Sequence, residues 1–562
     1  MSVAEIVSKN LVEQRTGAQL LVECLLEQDV DIGFGVPGES YLAVLDALHD
    51  VSNSFRFINC RNEGGGAFMA EAYGKMTGKP GVLFVTRGPG ATNASIGIHT
   101  AMQDSSPMVV FVGQIETSMR EREAFQELDY KAVFGTMAKW VVEIDSADRV
   151  PELVCRAFSV AQSGRPGPVV VALPEDMLVQ TTDARPRGKV QPVKPHITDW
   201  DAQQVMAHLK QAERPVLIVG GGGWNDNGRR ALEKFAEANN LPVIVTFRSQ
   251  DLINNDSPSY IGDAGFGLAP EIRSFLDESD LLLAINVRFG ETLTDGYQLF
   301  DPAHFDKKLV HIHASENEIG KIFTPEVAVM SCPNAAMTAL AAQQQVAGEK
   351  WKERTERARA AWVEGLNTAP QPGAVDMGEI MIFLRDRLPK DVIITNGAGN
   401  FAIWAGRYLK FGGDARLLGP QAGSMGAGVP SAVMAKLLDP TRFVLCFAGD
   451  GDFQMNGMEL GVAQQYGVAP VILVLNNGTY GTIRMHQERE YPGRVSGTGL
   501  VNPDFTKIAE AFGMMGEKVT ETAQFADAFE RAVASPTGGL LELMIDPEGI
   551  APRTTISKLR GH

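Results

Sequence analysis

Short runs of apolar and β-branched residues recur along the chain, at 82–86, 108–112, 169–172, 216–219, 281–285, 392–395, 443–447 and 471–475. Longer stretches with apolar positions at helical spacing separate them. The runs are continuous rather than alternating, as buried parallel strands require when helices cover both faces of a sheet. The pattern therefore predicts an α/β chain. Two polar connectors break it. The first, 183–198, sets Pro186, Pro192 and Pro195 among basic residues. The second follows the 343–356 region and ends near 370–373, after which apolar periodicity resumes. The expected architecture is three doubly wound parallel-sheet domains at residues 1–185, 197–345 and 374–550, with a tail at 551–562. No internal repeat is legible in the sequence.

Length agrees with this division, since 562 residues at about 150 per domain leave room for three or four domains. The formal net charge of −17 argues against nucleic-acid binding, which rests on clustered Lys and Arg. It also gives no long-range attraction for an anion, so an acidic ligand must be held by local donors. No apolar run approaches the ~20 residues of a membrane span. Residues 1–15 mix Glu, Lys and Asn and carry no signal-peptide block. The cysteines, at 24, 60, 155, 332 and 446, are scattered without CxxC spacing. Cys24, Cys155 and Cys446 stand among apolar neighbours and read as core. A reduced, cytoplasmic protein is expected.

The third segment carries the most informative run. Strand residues 443–447 end in Ala448-Gly449-Asp450-Gly451-Asp452, a helical stretch is expected over 455–466, and the strand 471–475 ends in Asn476-Asn477-Gly478-Thr479. In a right-handed βαβ unit the two strands are parallel, so their carboxyl ends share one edge. Ligands of open α/β sheets gather at that edge. Asp450 and Asn477 therefore meet there although 27 positions separate them. A carboxylate, an amide oxygen and a backbone carbonyl form a hard oxygen set, suited to Mg²⁺ or Ca²⁺ that completes its shell with phosphate oxygens and water. Glycines beside Asp450 allow close backbone approach, and a helix start offers N–H groups to phosphate. Taken singly, each half reads first as an ordinary turn; the pair at this spacing favours the metal.

Gly449-Asp450-Gly451 followed by Asn476-Asn477 resembles the binding motif of thiamine-diphosphate-dependent enzymes, and from about Gly17 to Asp546 the chain is similar to their acetolactate synthase branch. The resemblance implies thiamine diphosphate and Mg²⁺ as cofactors, and domains in the order pyrimidine-binding, central, diphosphate-binding. By resemblance, Asp450, Asn477 and the carbonyl of Thr479 hold Mg²⁺, Gly449, Gly451 and Asp452 belong to the cofactor motif, and Gly399 and Asn400 touch the diphosphate. Met425, in Gly423-Ser424-Met425-Gly426, would wedge between the two cofactor rings, with the carbonyl of Gly423 accepting from the exocyclic amine.

In the first segment, Arg61-Asn62-Glu63-Gly64-Gly65-Gly66 opens a helix, where a Glu is explained by the macrodipole alone. The resemblance instead gives Glu63 the family's central role. Its carboxyl would hydrogen-bond the aminopyrimidine ring and promote deprotonation of the thiazolium, ahead of carbonyl attack and decarboxylation. Such a group needs an apolar pocket that raises its pKa. Pro37 and Gly38 lie in a turn that fits the same pocket, the run from Gly88 to Asn93 opens a helix with anion-receptive N–H groups, and Phe125 and Gln126 match a loop beside the substrate. The resemblance also implies a homodimer or homotetramer with active sites at the subunit interface.

In the central segment, residues 216–219 lead into glycines 220–223, but strict GxGxxG spacing fails. The resemblance leaves FAD or another nucleotide open here. Arg288 matches a family motif whose later residues depart, and it is equally a candidate to grip a substrate carboxylate. Three further departures stand out: Asn62 and Phe401 where relatives carry His, and His486 where acetolactate synthases use Trp to select the second keto acid. His486 is therefore a substrate candidate. The implied reaction is decarboxylation of a 2-keto acid followed by carboligation. The alternatives are a 2-keto acid decarboxylase or a 2-hydroxyacyl-CoA lyase. A third class, a non-catalytic nucleotide-binding scaffold, is disfavoured by the intact set of Glu63, Met425, Asp450 and Asn477. The tail, with Arg553, Lys558 and Arg560, reads either as a loose terminus or as a lid of the kind some relatives close over the site.

Overall fold

The structure, a computed structural model, describes residues 14–346 and 349–561. The stretch read for a signal block lies, as far as residue 13, outside the described residues. The chain forms two compact units, one ending at Val193 and one beginning at Lys194. The first contains one six-stranded sheet and the second contains two. Every ladder within these sheets is parallel. The α/β, doubly wound architecture expected from the sequence is the one observed.

The first sheet comprises β1 (Ile32–Gly35), β2 (Arg56–Asn59), β3 (Gly81–Val85), β4 (Met108–Gln114), β5 (Trp140–Glu143) and β6 (Pro168–Pro174). Its order is β2-β1-β3-β4-β6-β5. The inner strands β3, β4 and β6 are buried along their whole length, which accounts for their unbroken apolar runs. The central sheet comprises β7 (Pro215–Val219), β8 (Val243–Thr246), β9 (Tyr260–Ala264), β10 (Leu281–Ile285), β11 (Lys308–His313) and β12 (Val327–Met330), ordered β9-β8-β7-β10-β11-β12. The third comprises β13 (Ile393–Asn396), β14 (Arg416–Leu418), β15 (Val444–Gly449), β16 (Val471–Asn476), β17 (Met515–Val519) and β18 (Gly539–Met544). Its order, β14-β13-β15-β16-β18-β17, is that of the first sheet. The repeat that the sequence conceals is a repeat of winding.

Two local differences from the sequence reading have clear causes. The helix expected from residue 455 begins at Asp450, because Gly449 is extended and serves as its N-cap. A short 3-10 turn, Gly457–Glu459, then divides it from the helix Leu460–Tyr466. The second connector contains a helix, Glu349–Glu364. Its polar composition hides a narrow stripe: Trp351 is buried in the core of the central sheet and donates Nε1–H to the Ala212 carbonyl at 3.2 Å, and Trp362 packs on Tyr260. Among the described residues no helix is long and apolar enough to cross a membrane.

Candidate active site

All strands of a parallel sheet end on one edge, and the loops there carry the candidate residues. In the third sheet, β15 delivers Asp450 as the first residue of the helix Asp450–Asn456, and β16 ends at Asn476. The buried Asp450 carboxylate accepts from its neighbour Gly451 N–H at 2.9 Å, from Gly478 N–H at 2.8 Å and from Asn502 Nδ2 at 2.7 Å. Burial pushes this carboxyl up from its usual range, and the three donors, Asn502 first, oppose the shift. A carboxylate has roughly four lone-pair positions, so three donors leave room for a cation. Asn477 and Thr479 share the same loop, with Asn477 Oδ1 accepting from Thr479 N–H at 3.2 Å. Leu500 N–H bonds to the Gly478 carbonyl and Tyr480 N–H to that of Thr498, so this short ladder makes no use of the Thr479 carbonyl. One carboxylate, one amide oxygen and one carbonyl fit a hard divalent cation that takes its other ligands from phosphate and water.

A second candidate loop follows β13. Asn400 is held by its whole functional group: Thr482 Oγ1 donates to Oδ1 at 3.0 Å, Nδ2 donates to the Ile550 carbonyl at 2.9 Å, and Nδ2 lies 3.5 Å from the Met485 sulfur. A Cβ on Gly399 or on Gly449 would stand 2.7 Å from the ring of Phe401, so that ring fills the space between the two loops. A Cβ on Gly451 would lie 2.5 Å from the Tyr480 ring. Gly423 has a φ of +67° and open space where a Cβ would stand. Met425, half-buried, precedes Gly426, whose N–H is accepted by Asp452 Oδ1 at 2.8 Å. Asp452 Oδ1 also accepts from Ala398 N–H at 3.0 Å. Asp452 is buried and its carboxyl is pushed up to about 7 by that burial. It therefore ties three loops together from within.

His486 is exposed on the helix Gly481–Glu490, one position beyond Met485. The tail is ordered against that helix. Arg560 donates Nε–H and Nη2–H to the two oxygens of the buried Glu488 at 2.8 and 2.7 Å, and the short helix Ile556–Leu559 precedes it. Of the two sequence readings for the tail, the loose terminus does not hold.

In the first unit, β2 is followed by the helix Glu63–Thr77. Asn62 is its N-cap, accepting from Gly64 N–H at 2.8 Å, which explains an Asn before the glutamate. Glu63 is 9% exposed, and its Oε2 accepts from Asn93 Nδ2 at 2.9 Å. A Cβ on Gly90 would stand 3.0 Å from Glu63 Oε1. The phenol of the neighbouring Tyr41 is pushed up by burial, with the Glu63 charge adding to it. Pro37 and Gly38 lie after β1, and a Cβ on Gly38 would strike the Thr86 side chain. Gly88, at φ +59°, receives the loop after β4: a Cβ there would be 2.9 Å from Gln126. Gln126 has a φ of +65°, and Phe125 is 73% exposed. The structure thus brings Glu63, Gly90 and Asn93 together, and sets Gln126 on Gly88 beside them.

The central sheet reverses its strand order between β7 and β10, which places residues 220–223 and Asn286 to Arg288 at one crevice. Asn286 Nδ2 donates to the carbonyls of Gly220 and Gly222 at 3.1 and 2.8 Å, and Asn334 Nδ2 to that of Gly223 at 2.8 Å. The glycine turn is thus closed by this chain's own amides. Arg288 is half-buried on the segment after β10. Sequence reasoning missed Asn502, Asn93, Asn286 and Arg248. Asn93 stands inside the helix-opening run from Gly88 and Asn286 directly precedes the run around Arg288, whereas Asn502 and Arg248 lie in stretches without a motif.

Comparison with known proteins identifies this arrangement. Residues 15–133 match the thiamine pyrophosphate enzyme N-terminal TPP binding domain, 202–340 the central domain and 397–542 the C-terminal TPP binding domain. The chain is 33% identical over 554 residues to the acetolactate synthase large subunit of Parasynechococcus marenigrum, covering 94% of this chain and 87% of that one. It is 32% identical to the isozyme 2 large subunit of Escherichia coli (94% and 95% covered) and 31% identical to the large subunit of Lactococcus lactis (94% and 92%). The chain belongs to the thiamine-diphosphate-dependent enzymes, in the family of the acetolactate synthase large subunits.

Proposed function

We propose that the protein decarboxylates a 2-keto acid such as pyruvate and joins the remaining fragment to a second carbonyl compound. The observation that carries this reading is the buried Asp450 carboxylate, gripped by three donors beside Asn477 and a Thr479 carbonyl that the local ladder leaves unused. Asp450, Asn477 and Thr479 would hold Mg²⁺, and Gly399, Asn400, Gly449 and Gly451 would form the floor against the diphosphate. Bound thiamine diphosphate supplies the electron sink that decarboxylation of a 2-keto acid requires. Met425 would separate the two rings by bulk, and the Gly423 carbonyl would accept from the exocyclic amine. Glu63 would be the acid–base group facing the pyrimidine, with Asn93 fixing one of its oxygens. Phe125, Gln126 and His486 border the substrate, and Arg288 is a further candidate for its carboxylate.

The reading includes a homodimer or homotetramer in which the Glu63 half-site of one copy serves the Asp450 half-site of another. FAD or another nucleotide in the central crevice belongs to it as an option, which flavin absorbance of the purified protein decides. The test is an NMR product assay with pyruvate, thiamine diphosphate and Mg²⁺, with and without FAD. Acetolactate supports the carboligase. Acetaldehyde alone favours the decarboxylase, and absence of turnover with every 2-keto acid overturns the reading.

A further inference from the structure

After β8 the chain leaves the central sheet, and residues 247–256 lie against the third. Asp251 Oδ2 accepts from Arg416 Nε–H at 3.0 Å and from Leu417 N–H at 3.2 Å, both on β14. Asn255 pairs with Phe411 through its backbone N–H at 2.7 Å and its Oδ1 at 2.9 Å, and Lys410 bonds Asp256 at 2.8 Å. These contacts anchor the strap. At its front stands Arg248, with a φ of +57°, a left-handed conformation uncommon outside glycine.

The Arg248 guanidinium uses this position to reach two carbonyls. Nη2–H donates to Gly397 O at 2.8 Å, Nη1–H donates to Pro420 O, and the group lies 4.9 Å from the Phe247 ring centroid. Gly397 O and Ala398 N–H belong to one peptide group, and Asp452 Oδ1 accepts that N–H at 3.0 Å. The peptide is gripped at its oxygen by a cation and at its hydrogen by a carboxylate, each charge matching the adjacent end of the peptide dipole. A side chain at Gly397 would end the arrangement, since a Cβ there would lie 1.9 Å from Asp452 Oδ1. The second carbonyl, Pro420 O, also accepts from Gly423 N–H at 3.1 Å and so opens the turn that leads to Met425.

We propose that Arg248 is a positioning residue of the cofactor site, holding the 397–400 and 420–426 loops from the central domain in the arrangement that receives thiamine diphosphate. The inference rests on the function proposed above, and goes beyond it by giving the central domain a part in cofactor binding. Arg248 acts through two carbonyls and is not itself assigned a contact with cofactor or substrate. The planar guanidinium presents its two Nη groups to the two carbonyls in a fixed fork, whereas a lysine must reach both from a single nitrogen on a flexible stem.

The test compares full-length wild type with Arg248→Ala, Arg248→Gln and Arg248→Lys. Affinity for thiamine diphosphate with Mg²⁺ is read by calorimetry, the melting midpoint of cofactor-free protein by scanning calorimetry, and KM and kcat at saturating cofactor. Arg248→Ala and Arg248→Gln should weaken cofactor binding by on the order of 10- to 100-fold, the usual range for outer-shell partners. Arg248→Lys should fall between them and wild type, with midpoint and KM unchanged in all three. Wild-type affinity in Arg248→Ala overturns the proposal. So does a loss of affinity that merely follows a lowered midpoint. If wild type takes up no thiamine diphosphate, the functional reading fails first and this inference with it.

Discussion

The first and third sheets are wound in one strand order yet put different chemistry on equivalent loops. The loop after the first strand holds Pro37 and Gly38 in one, Gly399 and Asn400 in the other. After the second strand come Glu63 and Met425, after the third Gly88 and Asp450, after the fourth Gln126 and Asn477. The two buried carboxylates show what the difference means. Glu63 has an amide from Asn93 on one oxygen and the space of a missing side chain at Gly90 beside the other. Asp450 accepts from three donors, the adjacent Gly451 N–H and one group on each of two further segments. In the proposed function Glu63, the acid–base group, has few partners, and Asp450, the proposed cation ligand, is surrounded by donors that favour its anionic form.

The sharpest way to break this comparison is to neutralise each carboxyl. Glu63→Gln should lower turnover by about 100- to 10,000-fold, the range of acid–base catalysis, while thiamine diphosphate still binds. Asp450→Asn should lose Mg²⁺-dependent cofactor retention, measured after gel filtration. Mixing the two inactive variants should restore part of the activity if each active site draws on two copies. Equal cofactor loss in both would end the distinction.

Donors come next. Asn502→Ala removes one bond to the Asp450 carboxylate, and a hydrogen bond to a charged group is worth about 1.5–3 kcal/mol. Calorimetry should show Mg²⁺ affinity falling accordingly, whereas Asn93→Ala should change kcat and leave Mg²⁺ affinity alone. Glycines give a smaller effect. Gly90→Ala crowds Glu63 Oε1 and should act on turnover, with little change in melting midpoint. Gly423→Ala meets open space but must adopt a φ of +67°, at a cost of about 1–2 kcal/mol. That loss should register in the midpoint.

The smallest effect is at the tail. Hydrogen bonds from Arg560, then Gly493 and Arg484, hold the Glu488 carboxyl down at about 2, from an ordinary 4.5. A carboxyl depressed on folding adds stability that is complete above its unfolded value and is lost as pH falls toward the folded one. The protection of amides in residues 551–561, taken relative to the intrinsic exchange rate at each pH, should therefore be constant near neutral pH and fall between about pH 4.5 and pH 2. Glu488→Gln should show the low protection at every pH.

Much of this was legible in the sequence. Each of the expected strand runs overlaps an observed strand, because inner strands such as β3 and β16 must be apolar on both faces. Strands at or near sheet edges were harder to read: β5 (WVVE), β14 (RLL) and β17 (MGEKV) are short or partly polar, since one side lacks a strand to pair with or a face to cover. Asp450 and Asn477 were legible because a short βαβ unit brings them together. Asn502 and Arg248 were not, because their partners are chosen by tertiary packing and neither lies in a recognisable motif.

The shared winding also has a practical side. Two sheets threaded alike in one chain offer the same loop positions twice, and the chain fills each set with different residues. Loop exchange between the two halves, strand number for strand number, is then a rational route to new chemistry on this scaffold.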